Sequence, residues 1–203
     1  MVELVDTPIL VTLKKETASA HDTTEEVALV DKIKNLTLSK KEYIQLISCN
    51  WWIHQGVEKA MINFFMESPT PQLRAFFDEK SKWLIKDLQE LEVLPATLPF
   101  STITYPAITT KAALIGGLYV VEGSMLGGQY MLRLFRKNPA LSTIPHFHFY
   151  QGYEKQTGQR WKAFQKLANE STWTTSSVQQ AVQQAKATFQ FFQLAYEVGL
   201  RPF

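Results

Sequence analysis

One cysteine, Cys49, is present among 203 residues. That excludes an internal disulfide, a thiolate zinc cluster and an iron–sulfur site, each of which needs more than one thiolate. It also makes a reducing compartment the expectation. Long apolar runs are missing as well. The longest, near 112–121, is about half of the roughly 20 residues a membrane helix requires, and it contains two glycines. Charge of one sign is scarce: 21 basic and 19 acidic residues leave a net charge of +2, and no run of Lys or Arg marks a nucleic-acid surface. The opening MVELVDTP carries acid where a secretory signal needs positive charge. These absences predict a cytoplasmic protein without a nucleic-acid surface or a membrane span, and the balanced charge suits a monomer.

With 45% hydrophobic residues, the chain has material for a packed core. Its periodicity is helical nearly throughout. Thr7-Pro8 reads as an N-cap followed by proline in the first helical position, opening a helix to about residue 35. Ser39-Lys40-Lys41-Glu42 is a capping box, and Ile44, Ile47 and Trp51 behind it form an apolar face. That helix is expected to continue through Phe65 and stop at the Ser68-Pro69-Thr70-Pro71 break. Further helices are predicted over 71–91, 107 to about 137, 153–169 and 176–199, with loops at 94–106 and 138–152. Strand–helix alternation is missing, so α/β folds are excluded. A single all-α domain over 1–203 is expected, with 1–7 as a short flexible N-terminus.

Five of the nine glycines, at 116, 117, 123, 127 and 128, fall within thirteen residues of the predicted fourth helix. A glycine inside a helix costs about 0.5–1 kcal/mol relative to alanine, so the group costs roughly 2.5–5 kcal/mol. Gly116, Gly123 and Gly127 share one helical face. Bare backbone there serves either close helix packing or a flat ligand lying against a helix that the glycines allow to kink and open. A phosphate-cradling loop does not fit, because neither the spacing nor a preceding strand is present.

Among four histidines, His21 has Glu25 four residues later on the same helical face. A metal-bound imidazole usually donates its other N–H to a carboxylate, and this pair can supply that relation. It can equally be a surface ion pair of little energetic value. His146 and His148 lie in an aromatic loop with no carboxylate close in sequence, and His54 reads as a partly buried helix residue. Cys49, in an apolar helix, reads as an inert buried thiol.

Several segments together resemble the heme oxygenase family, in particular its bacterial, phytochrome-associated branch. Leu13-Lys-Lys-Glu-Thr-Ala-Ser-Ala-His21 is similar to the family's first helix, which ends in the proximal heme ligand. Tyr119-Val-Val-Glu-Gly-Ser-Met-Leu-Gly-Gly-Gln129 is similar to the distal helix over the other heme face. The likeness continues through 158–164 and 185–189. The resemblance implies an all-α helical bundle holding heme between the first helix and a glycine-kinked distal helix. It implies oxidative cleavage of heme to biliverdin, ferrous iron and carbon monoxide, with dioxygen and an external electron donor of the ferredoxin or reductase type.

By the same resemblance, His21 would bind iron through Nε2, with Nδ1–H turned to Glu25. Gly123 and Gly127 would bring backbone against the porphyrin, with Tyr119 and Gly128 beside them. Lys14, Arg160 and Lys162 would meet the propionates, and Phe189 would wall the pocket. One departure stands out. Animal enzymes carry an aspartate after the first distal glycine, where this chain has Ser124, a hydroxyl that can hold water but brings no charge. Ser124 keeps a non-catalytic heme carrier open as an alternative. A thiaminase-like bundle enzyme acting on another substrate is a second alternative, but it would not need His21 and Glu25 at this spacing.

Overall fold

The structure is a computed structural model that describes residues 4, 5, 7–93 and 103–200. The expected loop over 94–106 lies outside the described residues up to residue 102, and the expected flexible N-terminus is described only in part. Leu4 forms an antiparallel bridge with Thr174, and the Val5 N–H donates to the Trp173 carbonyl at 3.1 Å. Those two residues are therefore tied down. Otherwise the regular elements among the described residues are helices, as the all-α expectation requires.

The first helix does not run to residue 35. It divides into α1 (Ile9–Val27) and α2 (Val30–Lys34), with Leu29 between them in the left-handed region at φ 60°. The reason lies in helical phase. Residue 31 follows residue 13 by 18 positions, five full turns, so a straight helix would put Asp31 on the face of buried Leu13. The break turns Val30 and Ile33 into the core instead. Pro8, not Thr7, occupies the α1 cap position, and no side chain caps it.

The capping box forms as expected at α3 (Lys40–Glu67): the Glu42 N–H donates to Ser39 Oγ at 3.2 Å, and the Ser39 N–H donates to Glu42 Oε2 at 2.9 Å. The helix expected over 71–91 is two pieces, α4 (Pro71–Arg74) and α5 (Ser81–Glu90). Long-range polar contacts decide that break. Lys80 turns inward to Glu122, 2.6 Å away, and the Ser81 N–H and hydroxyl both donate to Glu58.

The glycine-bearing helix is α6 (Lys111–Phe135), which starts at Thr110, whose hydroxyl caps the Ala113 N–H, rather than near Ala107. It is helical without interruption, so the glycines do not break it. The expected loop over 138–152 contains a 3-10 turn, Pro139–Leu141, and a short helix, α7 (His148–Gln151). A second 3-10 turn leads to α8 (Thr157–Glu170), and α9 (Thr175–Gly199) follows, capped by Thr174. α9 packs against α1, α3 and α6. The core between them includes Leu13, Ile53, Ile115, Ala181, Ala185 and Ala195. Cys49 is fully buried, and that burial pushes its thiol up to about 12, as an inert core residue requires.

Candidate heme site

α6 and α9 approach closely at the start of α6. A Cβ on Gly116 would lie 2.1 Å from the Ala181 carbonyl oxygen, and one on Gly117 would lie 3.1 Å from Tyr105 Oη. These two glycines serve helix packing. Farther along α6 the same stripe opens. A Cβ on Gly123 would meet only the Trp161 ring, at 3.5 Å, and one on Gly127 would meet nothing within 4 Å. Close packing therefore accounts for the first half of the stripe, and the second half is open backbone.

The open half forms one wall of a cavity of about 340 Å³, within the roughly 300–1,000 Å³ typical of small-molecule sites. α1 supplies His21, Thr24 and Glu25, and α6 supplies Tyr119, Gly123, Ser124, Gly127 and Gly128. Phe189 of α9 closes one side, its ring edge-on to His21 with centroids 6.0 Å apart. The His21 side chain is 55% exposed. Its Nε2 lies 3.8 Å from Glu25 Oε1, and its Nδ1 lies 3.5 Å from Asp22 Oδ1. Both separations exceed the roughly 3.2 Å of a good hydrogen bond, so the ring nitrogens are weakly engaged. The ring orientation corrects one expectation: Glu25 faces Nε2, not Nδ1. A carboxylate at i+4 leans back over the preceding turn and meets the outer edge of the ring. Glu25 is also 3.5 Å from Lys34 Nζ.

Ser124 lines the cavity, and its hydroxyl donates to the Val121 carbonyl at 2.9 Å. The inner end holds polar residues that sequence reasoning missed. Tyr196 Oη donates to Asn50 Oδ1 at 2.6 Å, and Asn50 Nδ2 donates to Tyr150 Oη at 3.3 Å. Beside them, His54 is 1% exposed, and its Nδ1 has no hydrogen-bond partner. Burial, and then the nearby Lys80 ammonium, hold its pKa down to about 3, so it is neutral. In sequence, the only signal was an Asn and a His inside an otherwise apolar stretch of α3.

The basic residues depart from expectation. Arg160 does not reach the cavity: its Nη2 is 2.6 Å from Asp78 and its Nε is 3.0 Å from Glu122. Glu122 is itself buried against Lys80, and a buried carboxylate needs such partners. Arg160 thus closes a network that braces α6 one residue before Gly123. Lys14 and Lys162 are exposed and outside the cavity lining, which contains no Lys or Arg among the described residues. Lys14 does sit two turns before His21 on the same side of α1.

The all-α bundle thus brings the His21 imidazole and the bare backbone of Gly123 and Gly127 to one cavity. The chain belongs to the heme oxygenase family, whose family model matches residues 7–197. It is 31% identical over 105 residues to a heme oxygenase of Xanthomonas campestris pv. campestris (strain 8004), a match covering 51% of this chain and 62% of that protein. Its fold is similar to that of the heme oxygenase of Neisseria meningitidis solved with NO and CO bound, with a TM-score of 0.75 and 21% identity. That likeness covers 95% of this chain and 92% of the other. Heme oxygenase-1 of Synechocystis sp. PCC6803, solved in complex with heme, gives a TM-score of 0.68 at 15% identity over 94% of this chain and 91% of that one. The heme oxygenase of Leptospira interrogans gives 0.69 at 15% identity, covering 94% and 98%. No helix among the described residues is long and apolar enough to cross a membrane.

Proposed function

We propose that this chain is a heme oxygenase that binds heme between α1 and α6. The observation that carries the reading is the open backbone at Gly127 and Gly123 lining the same cavity as the loosely engaged imidazole of His21. When bound, heme supplies both the redox chemistry with dioxygen and the ring that is opened to biliverdin, with release of ferrous iron and carbon monoxide.

The residues divide that work by chemistry. His21 would hold the heme iron through Nε2 on leaving Glu25, with Nδ1 turned to the Asp22 carboxylate. Phe189 holds the imidazole plane by its edge-on contact. Gly123 and Gly127 would present a bare face of α6 to heme and leave room there for dioxygen, and α6 is braced by the Glu122 network. Ser124 and Gly128 stand beside that face, and Tyr119 lies farther along the wall. With no charge at position 124, the Tyr196–Asn50–Tyr150 chain would be the polar patch to hold a water near the pocket's inner end. Lys14, exposed and two turns before His21 on the same side of α1, would be the basic residue to meet a propionate.

Electrons come from an external donor of the ferredoxin or reductase type, and the protein works as a cytoplasmic monomer with the whole chain in one domain. The test is turnover. A hemin complex supplied with ferredoxin, its reductase and NADPH is expected to yield biliverdin absorbance and carbon monoxide. A complex that is reduced in air but leaves heme intact would instead identify a carrier, the alternative that Ser124 keeps open.

A further inference from the structure

On the side of α7 away from the cavity, two histidines and a carboxylate converge. His146 Nδ1 lies 3.0 Å from Glu90 Oε2, and His148 Nε2 lies 2.8 Å from Glu90 Oε1. The two imidazole rings are stacked, with centroids 5.1 Å apart. All three ligand atoms lie within 4.8 Å of one another. The sequence places Glu90 56 residues before His146, at the end of α5, which is why the loop looked to lack a carboxylate.

The frame around the cluster is rigid. Asp87, one turn before Glu90 and 1% exposed, accepts the His148 N–H at 2.6 Å and the Phe149 N–H at 2.9 Å. The histidine loop is thereby fixed to the same helix that carries the carboxylate. His146 lies on the non-helical stretch leading into α7 and His148 is the first residue of that helix; their stacked rings both turn toward Glu90. The mouth is open, with the His146 side chain 55% exposed.

We propose that Glu90, His146 and His148 form a binding site for a divalent first-row transition metal of the zinc class. Two imidazole nitrogens and one carboxylate oxygen are the donor set such ions prefer, and solvent fills the remaining coordination position. A tetrahedral ion with metal–ligand bonds of about 2.0–2.1 Å holds its ligands roughly 3.3 Å apart. The two His–Glu contacts, at 3.0 and 2.8 Å, therefore need to open slightly, and the two imidazole nitrogens, within 4.8 Å of each other, need to settle at that same spacing. The ion takes the place of the ring N–H groups that face Glu90, and each neutral imidazole keeps its one proton on the other ring nitrogen. Because Phe149 and Tyr150 of the same short helix line the cavity, the bound ion fastens that wall from outside.

The site is tested on the heme-free full chain by calorimetric titration with Zn²⁺, with Co²⁺ absorbance as the readout of coordination. Wild type is expected to bind one Zn²⁺ per chain, and Co²⁺ to give visible bands of a low-coordinate nitrogen and oxygen site. Glu90→Gln, His146→Ala and His148→Ala should each weaken binding at least tenfold, whereas His21→Ala should leave it unchanged. His146→Ala is the decisive variant, because its exposed side chain is least needed for folding. Wild-type affinity no greater than that of His146→Ala, or binding abolished by His21→Ala, would overturn the site and leave a pair of His–Glu ion pairs.

Discussion

Gly127 and Gly116 lie on one stripe of α6 yet have opposite surroundings. Alanine at 127 meets no atom within 4 Å and removes a helical glycine, so the heme-free protein should gain about 0.5–1 kcal/mol. The added methyl would stand in the space assigned to heme, so hemin affinity or turnover should fall in the same variant. Alanine at 116 would press on the Ala181 carbonyl, and overpacking of that kind costs typically about 1–3 kcal/mol. Urea midpoints of the two variants check the contrast. Destabilisation by Gly127→Ala, or none by Gly116→Ala, would count against this division of the stripe. His54 offers a second residue-scale test. Its pKa falls from the ordinary 6.5 to about 3 in the fold, so the unfolded chain takes up the proton first. Stability therefore drops as pH falls from about 6.5 toward 3, by up to roughly 1.4 kcal/mol per pH unit. Asp87, pushed up to about 6 mainly by burial, works in the opposite sense. The informative quantity is thus the difference between wild type and His54→Leu, which should lose this part of the acid limb in denaturation measured between pH 6.5 and 4.

The α6 helix is braced by charge as well as by packing. Lys80 of the α4–α5 turn, Glu122 of α6 and Arg160 of α8 form a chain of ion pairs, with Lys80 and Glu122 both buried. Glu122→Leu leaves the Lys80 ammonium buried without its carboxylate, and breaking a buried pair in this way costs about 3–5 kcal/mol. Adding Lys80→Met should recover much of the loss. A double-mutant cycle by chemical denaturation measures it, and strict additivity would show that the pair is not coupled. At this scale the sequence was readable where the deciding interactions are local. The Ser39–Glu42 box and the glycine-bearing helix were both placed from neighbouring residues. The α1–α2 break, the α4–α5 break and the role of Arg160 were not readable, because their causes lie elsewhere. Asp31 had to be kept off a core face, Lys80 had to meet a residue 42 positions away, and Arg160 has its partners in the α4–α5 turn and in α6.

Across the whole molecule, the bundle brings an imidazole on α1 and bare backbone on α6 to the lining of one cavity, with α9 packed against both helices. Both were legible as motifs. The inner end was not, since Asn50, Tyr150 and Tyr196 come together from three helices and show no common spacing. Binding to this cavity ties ligand affinity to global stability: free hemin at a hundred times its dissociation constant should raise the unfolding free energy by about 2.7 kcal/mol. The most direct measurement is the absorption and resonance Raman spectrum of the hemin complex, taken for wild type and His21→Ala. Wild type should form a one-to-one complex with a Soret band and, when reduced, an iron–histidine stretch. His21→Ala should lose that stretch and shift the Soret band while keeping the fold. An unchanged spectrum in His21→Ala would contradict the assignment of His21 as the ligand that holds heme between α1 and α6.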